Sequence, residues 1–349
     1  QRHVMVRWAC DLTTHGKPLD VKPIYLDNNA TTPVDQAVIE AMLPFLNHHY
    51  GNPSSNHPLG RAAAEAIEDA RMLVAAAIGA DREEVFFTSG GTESNNLAIL
   101  GLLMDAPVSD HVITSQIEHP AVLEPIKWLE QRGLNVTYVP SNRDGVVEPE
   151  SIKSAIRNQT RLVSIMHANN ETGAIQPLAA IAELLQDREI VFHTDAAQSL
   201  GKIPVEVDQL GVNLLTIAGH KCYAPKGIGA LYVRFGTLLH AVLRGAPHER
   251  GLRPGTENVA GIVGLGRACQ LLTARGDDAN RKVRECRDRL AGLLLAEIPG
   301  LQINAARANR LPNTLSVVFP SVAGHELLQR AYDVYASTGS ACHSGTGSR

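Results

Sequence analysis

Four short runs of this 349-residue sequence hold residue types whose spacing could do chemistry. The first is Thr88-Ser89-Gly90-Gly91-Thr92-Glu93-Ser94-Asn95-Asn96, where a β-rich run gives way to a helical pattern. Glycines let a backbone approach an anion, and the unpaired N–H groups of a helix start bind phosphate oxygens. The same run also reads as a Gly-rich connection capped by Thr92. It lacks the Gly-x-x-x-x-Gly-Lys-Ser/Thr pattern of a nucleoside-triphosphate loop. The second is His193-Thr194-Asp195-Ala196-Ala197-Gln198, directly after the apolar Ile190–Phe192. A carboxylate at the end of a buried strand needs a cation or hydrogen-bond donors. A protonated ring nitrogen of a cofactor would serve, and so would a helix start capped by Asp195. The third is Gly219-His220-Lys221-Cys222-Tyr223-Ala224-Pro225-Lys226-Gly227. A desolvated lysine at a strand end suits Schiff-base chemistry; a solvated surface lysine is the ordinary alternative, and it fits Lys226 better than Lys221. The fourth is Ser340-Ala341-Cys342-His343-Ser344, a cysteine in a Gly/Ser-rich stretch, where an exposed thiol is a candidate nucleophile. Cys222, Cys269 and Cys286 read as ordinary structural cysteines.

The elements that must position these residues alternate between strand and helix. Helices are expected over Pro58–Gly79, Thr92–Met104, Ala121–Arg132, Glu150–Arg157 and Leu178–Asp187. Strands are expected over Glu84–Thr88, His111–Thr114, Asn135–Val139, Leu162–Met166, Ile190–Thr194, Leu214–Ala218 and Ala230–Val233. That order indicates βαβ units and a mostly parallel sheet covered on both faces, with ligands bound at the strand C-terminal edge. Two helical stretches, Val259–Leu272 and Asp278–Glu297, follow, then a strand at Asn313–Phe319, a short helix near His325–Arg330 and a strand near Val334–Ser337. The expected fold class is therefore α/β. A large domain spans 24–257, a smaller α+β domain spans 258–349, and 1–23 forms a polar extension.

Composition narrows the function. With 32 Lys+Arg against 36 Asp+Glu the net charge is −4, so a surface built to coat nucleic acid or an anionic membrane is not expected. Aromatics make up only 4%, too few for a base-stacking platform. No apolar run reaches the roughly 18 residues of a membrane span, and the first residues lack a secretory h-region. Five cysteines with no Cys-x-x-Cys or Cys/His ligand spacing argue against a disulfide framework or a bound metal and for the reducing cytoplasm.

Taken together and in order, these runs make a recognisable set. With Tyr25–Pro33, Gly51–Ser55, Glu118-His119, His167–Gly173, His248–Gly251 and Arg253–Thr256, the sequence resembles the cysteine desulfurase and selenocysteine lyase family. That family consists of pyridoxal 5'-phosphate (PLP) enzymes of the class-V, aspartate aminotransferase-like fold. The likeness runs from Ile24 to Ser344. It implies that Lys221 holds PLP covalently, that His119 stacks on the ring and shuttles protons, and that Asp195 pairs with the ring nitrogen. It further implies that Gln198 bonds the ring hydroxyl, that Asn170 lies beside ring and substrate, and that Gly91, Thr92 and His220 hold the phosphate. Thr256 would reach the phosphate of a neighbouring subunit, so a homodimer is implied. Cys342 would accept sulfur from L-cysteine as a persulfide and deliver it to an acceptor protein.

Two departures stand out. Position 218 is Ala where the family's desulfurases often carry Ser, which removes a hydroxyl donor to the phosphate. The family also continues past the cysteine loop with a strand and a helix bearing an Arg for the substrate carboxylate, whereas this sequence stops at Arg349; an incomplete chain is expected. The alternatives are selenocysteine lyase, with selenocysteine as substrate, a PLP aminotransferase or lyase that uses no protein thiol, and a catalytically silent partner protein.

Overall fold

The computed structural model describes residues 23–339. In chain order the elements are β1 (Ile24–Tyr25), α1 (Gln36–Asn47), α2 (Pro58–Ala76), β2 (Val85–Thr88), α3 (Gly91–Leu103), β3 (His111–Ser115), α4 (Pro120–Gln131), β4 (Asn135–Val139), α5 (Pro149–Ala155), β5 (Thr160–Ser164), α6 (Leu178–Leu185), β6 (Val191–Asp195), α7 (Val207–Leu210), β7 (Leu214–Ala218), β8 (Gly229–Val233), α8 (Val259–Glu297), β9 (Gln302–Ile303), β10 (Val317–Val318), α9 (Gly324–Arg330) and β11 (Val334–Tyr335).

Seven strands form the central sheet in the order β2-β8-β7-β6-β5-β3-β4. All neighbours run parallel except β8, which is antiparallel to both β2 and β7. Strands β2, β3, β7 and β8 are buried along their whole length. A parallel sheet covered on both faces buries its strands in this way, including the polar His111, Thr114, Ser115 and Thr216. Because Thr88 and Ala218 both stand opposite Gly229, the C-terminal ends of β2 and β7 lie on one sheet edge. The C-terminal ends of β3, β5 and β6 join them there, since those strands are parallel to β7. The α/β expectation with a mostly parallel sheet therefore holds.

The expected helix and strand order is present, with boundaries displaced by a few residues. The main difference lies near the C-terminus. Asn313–Phe319 is expected as one strand, yet only Val317–Val318 pairs, antiparallel to β9. Asn313 Nδ2 and Thr314 Oγ1 are drawn instead to the side chain of Asn29, at 2.9 and 3.3 Å, which takes this part of the segment out of any ladder. Strand β5 spans Thr160–Ser164 where Leu162–Met166 is expected, because His111 of β3 pairs with Thr160. The two expected helices after Val259 run as one element broken at Gly276, whose φ of 59° and ψ of −166° interrupt the helical path. Its first half packs against α1 and α2 and is buried from Ala260 to Cys269 at most positions. Strand β1 pairs in parallel with β11, so the first described residues join the last ones. Cys342 lies outside the described residues. Among those residues, no helix is long and apolar enough to cross a membrane.

Candidate active site

The strand-end edge gathers most of the residues singled out by chemistry. Lys221 sits in a single 3-10 turn, Gly219–Lys221, immediately after β7. Its Nζ donates to the main-chain oxygen of Asn29. Gln198, buried in the turn after β6, donates from Nε2 to that same oxygen at 2.9 Å. The side chain of Asn29 is itself held, donating to the carbonyl of Asn170 at 3.1 Å and to Thr314 Oγ1 at 3.0 Å. Asn29 is thus a hub joining residues from four parts of the chain. It falls inside the Tyr25–Pro33 run that the sequence marks, but nothing in that run says which atom would be used.

Asp195 closes β6 and is buried. Its Oδ1 accepts from the Ala197 N–H at 2.9 Å and its Oδ2 accepts from Asn95 Nδ2 at 2.7 Å. Asp195 thus caps an amide, in a turn rather than at a helix start, and its second oxygen is held by Asn95. Asn95 lies on α3 and its Oδ1 is buried without a donor. A carboxylate beside an unsatisfied buried acceptor creates a place for an N–H cation. Sequence reasoning did not assign Asn95 a role, although it belongs to the Thr88–Asn96 run.

The start of α3 is a candidate anion site. Gly90 caps the helix, so the N–H groups of Gly91, Thr92 and Glu93 are those that a helix start leaves without an internal acceptor. A Cβ added at Gly91 would lie 3.2 Å from the Cβ of Ala218, so glycine is what lets this turn sit against the end of β7. Glu93 would repel an anion here, but its carboxylate is engaged by Arg253 Nε at 2.9 Å and by the Ser89 N–H at 2.8 Å. Burial works to raise its pKa, and these two donors outweigh burial and hold it below the usual carboxylate value.

His220 and His119 complete the site. His220 shares a 3.1 Å hydrogen bond through Nδ1 with Thr31 Oγ1, while its carbonyl accepts from the Thr32 N–H at 2.8 Å. Burial first, then the nearby Lys221, Lys226 and His119, push its pKa down to about 4, so it is a neutral imidazole. His119 caps α4, accepting the Ala121 N–H on Nδ1 at 3.1 Å. That bond leaves the ring proton on Nε2. Just before it, Glu118 is buried and accepts from Ser115 Oγ at 2.6 Å and from the Met166 N–H at 2.9 Å. Burial chiefly, with Asp195 adding to it and the two donors opposing it, raises Glu118 to about 8. Thr256 is exposed in the loop before α8, apart from the hydrogen-bonded group around Asn29. The thiols of Cys222 and Cys269 are buried, and burial raises Cys222 to about 12, which keeps it protonated and inert.

The residues fit PLP. A strand-end lysine, an anion-binding helix start, and a buried carboxylate beside the orphaned Asn95 oxygen match its aldehyde, phosphate and ring nitrogen.

Comparison with known proteins agrees with that chemistry. A match to the Aminotransferase class-V family covers residues 24–346. The sequence is 47% identical over 328 residues to the cysteine desulfurase IscS of Dictyoglomus turgidum, covering 93% of this chain and 83% of that protein. It is equally similar to the IscS of Methanosarcina thermophila, covering 81% of it. Among solved structures, a NifS-like protein superposes with a TM-score of 0.86 at 40% identity, over 90% of this chain and 87% of that one. SspA in complex with cysteine gives a TM-score of 0.84 at 37% identity, over 92% and 90% of the two chains.

Proposed function

The chain belongs to the cysteine desulfurase family within the class-V aminotransferases, and on that premise we propose that it converts L-cysteine to L-alanine with PLP held on Lys221 and the sulfur passed to Cys342 as a persulfide. The observation that carries this reading is the convergence of Lys221 Nζ and Gln198 Nε2 on the Asn29 carbonyl, at the sheet edge where Asp195 ends β6.

Gly91, Thr92 and His220 would hold the cofactor's phosphate. Asp195, with Asn95, would take its ring nitrogen and Gln198 its ring hydroxyl, while His119 and Asn170 would serve beside them. Bound there, PLP supplies an electron sink for the negative charge that develops at the substrate Cα. Once the substrate's amine has taken its place, Lys221 Nζ is a free amine and would remove the proton from that carbon. His119, with its proton on Nε2, is the second group able to move a proton at the site. The Cys342 thiolate attacks the substrate sulfur: an S–S bond forms, the Cβ–S bond breaks, and its electron pair stays with the carbon skeleton. That skeleton takes up protons and leaves as alanine, and a persulfide remains on Cys342. Thr256, exposed on its loop, serves the phosphate of a second copy in a homodimer. A sulfur-acceptor protein, such as an iron–sulfur scaffold, then takes the persulfide in the reducing cytoplasm.

Incubation with PLP followed by cysteine tests the reading. The wild-type protein forms alanine and a persulfide on Cys342, while Cys342→Ala keeps PLP but forms no persulfide. Undiminished release of alanine and sulfide by Cys342→Ala would refute the nucleophile.

A further inference from the structure

The turn that follows β6 carries Lys202, a lysine that the reaction above does not use. Its Nζ donates to Oε1 of Gln198 at 3.0 Å. That contact decides which way the Gln198 amide faces, because an ammonium can only donate and must meet the carbonyl end. With Oε1 held, Nε2 is turned to the Asn29 carbonyl, the acceptor it shares with Lys221 Nζ. A continuous line therefore runs from Lys202 through Gln198 and Asn29 to Lys221. The turn itself is clamped from α8: Asn280 Nδ2 donates to the Gly201 carbonyl at 3.1 Å, and a Cβ at Gly201 would collide with Leu272.

Burying an amine costs free energy that a methionine of similar size would not. The ionisable groups acting on Lys202 are Lys221 and Cys222, both from the turn after β7. Burial first, then repulsion from Lys221, bring its pKa down to about 7, with Cys222 opposing. Nothing in packing alone calls for a cation at this place.

We propose that Lys202 is a positioning residue for the reaction: it pins the Gln198 amide with its nitrogen toward the site, and its charge bears on the amine of Lys221 at the other end of the line. The inference rests on the cofactor reading above. Removing a neighbouring cation favours every protonated form at Lys221, so the pH at which the protein changes state there must rise.

The experiment follows the pH midpoint of the visible absorbance of the full-chain, PLP-loaded protein. In Lys202→Met the midpoint rises by about one pH unit, and in Lys202→Arg it returns toward the wild-type value. An unmoved midpoint in a cooperatively folding Lys202→Met protein overturns the proposal. Should that variant not fold, Lys202→Gln takes its place: a midpoint raised as for the loss of a cation supports the proposal, and an unmoved one overturns it. A wild-type protein that takes up no PLP at all would instead defeat the cofactor reading. The labelling midpoint of Lys221 in the same variants would then carry the test, an upward displacement supporting the proposal and none overturning it.

Discussion

Arg71 of α2 and Glu249 of the loop before α8 face each other as a buried bidentate pair, Nη1 to Oε2 at 2.8 Å and Nη2 to Oε1 at 2.9 Å. Glu249 Oε2 also accepts the Phe87 N–H of β2 at 2.7 Å. The pair thus ties the loop that leads to Thr256 to β2, the strand that leads into the start of α3. Removing one partner of a buried pair strands the other charge, at a cost of about 3 kcal/mol or more. Glu249→Ala is expected to lower the urea midpoint accordingly with an unchanged slope. The double variant Arg71→Met with Glu249→Leu is expected to recover most of that loss. A Glu249→Ala protein as stable as wild type would show that Glu68 and the Val85 carbonyl, the other acceptors of Arg71, suffice.

The close approach of Gly91 and Ala218 gives a second expectation. A serine at 218 would place a hydroxyl against the start of α3, where the phosphate is proposed to bind. One added hydrogen bond contributes about 1 kcal/mol, so Ala218→Ser should tighten PLP binding about five-fold, read as slower cofactor loss on dialysis. Unchanged retention would mean that Gly91, Thr92 and the helix start already satisfy the anion.

Glu118 gives a third, in pH. Its folded pKa of about 8 lies above the usual carboxylate value, so its neutral form is the one the fold favours. The associated stability is fully present below the unfolded carboxylate pKa and is lost as pH rises through the folded value. Glu118→Gln keeps an oxygen for Ser115 and Met166 and carries no proton to lose. Between about pH 4.5 and 8 the wild-type melting temperature should therefore fall relative to the variant. Parallel melting curves across that window would rule this out.

Much of this molecule was legible in order along the chain. Strand–helix alternation set the α/β class, because side-chain periodicity is a local property. The strand-end positions of Asp195 and Lys221 could be located from the apolar runs that precede them, Ile190–Phe192 and Leu214–Ala218. The Gly-Gly-Thr turn marked the start of α3 for the same reason, since a helix start and its free amides are local features too.

What the tertiary structure alone decided is which distant atoms meet. Asn29 reaches Gln198 and Lys221 across 169 and 192 residues, and its side chain draws Asn313 and Thr314 out of an expected strand. Lys202 looks like any surface lysine in a Ser-Leu-Gly-Lys turn until the fold half-buries it against Gln198. Asn95 becomes a partner of Asp195 only because α3 packs over β6. Such contacts depend on sheet order and on the direction in which a side chain leaves its backbone, and neither is encoded within a window of neighbouring residues. Sequence therefore established the parts and their chemistry, while the packing of the sheet determined the network that joins them.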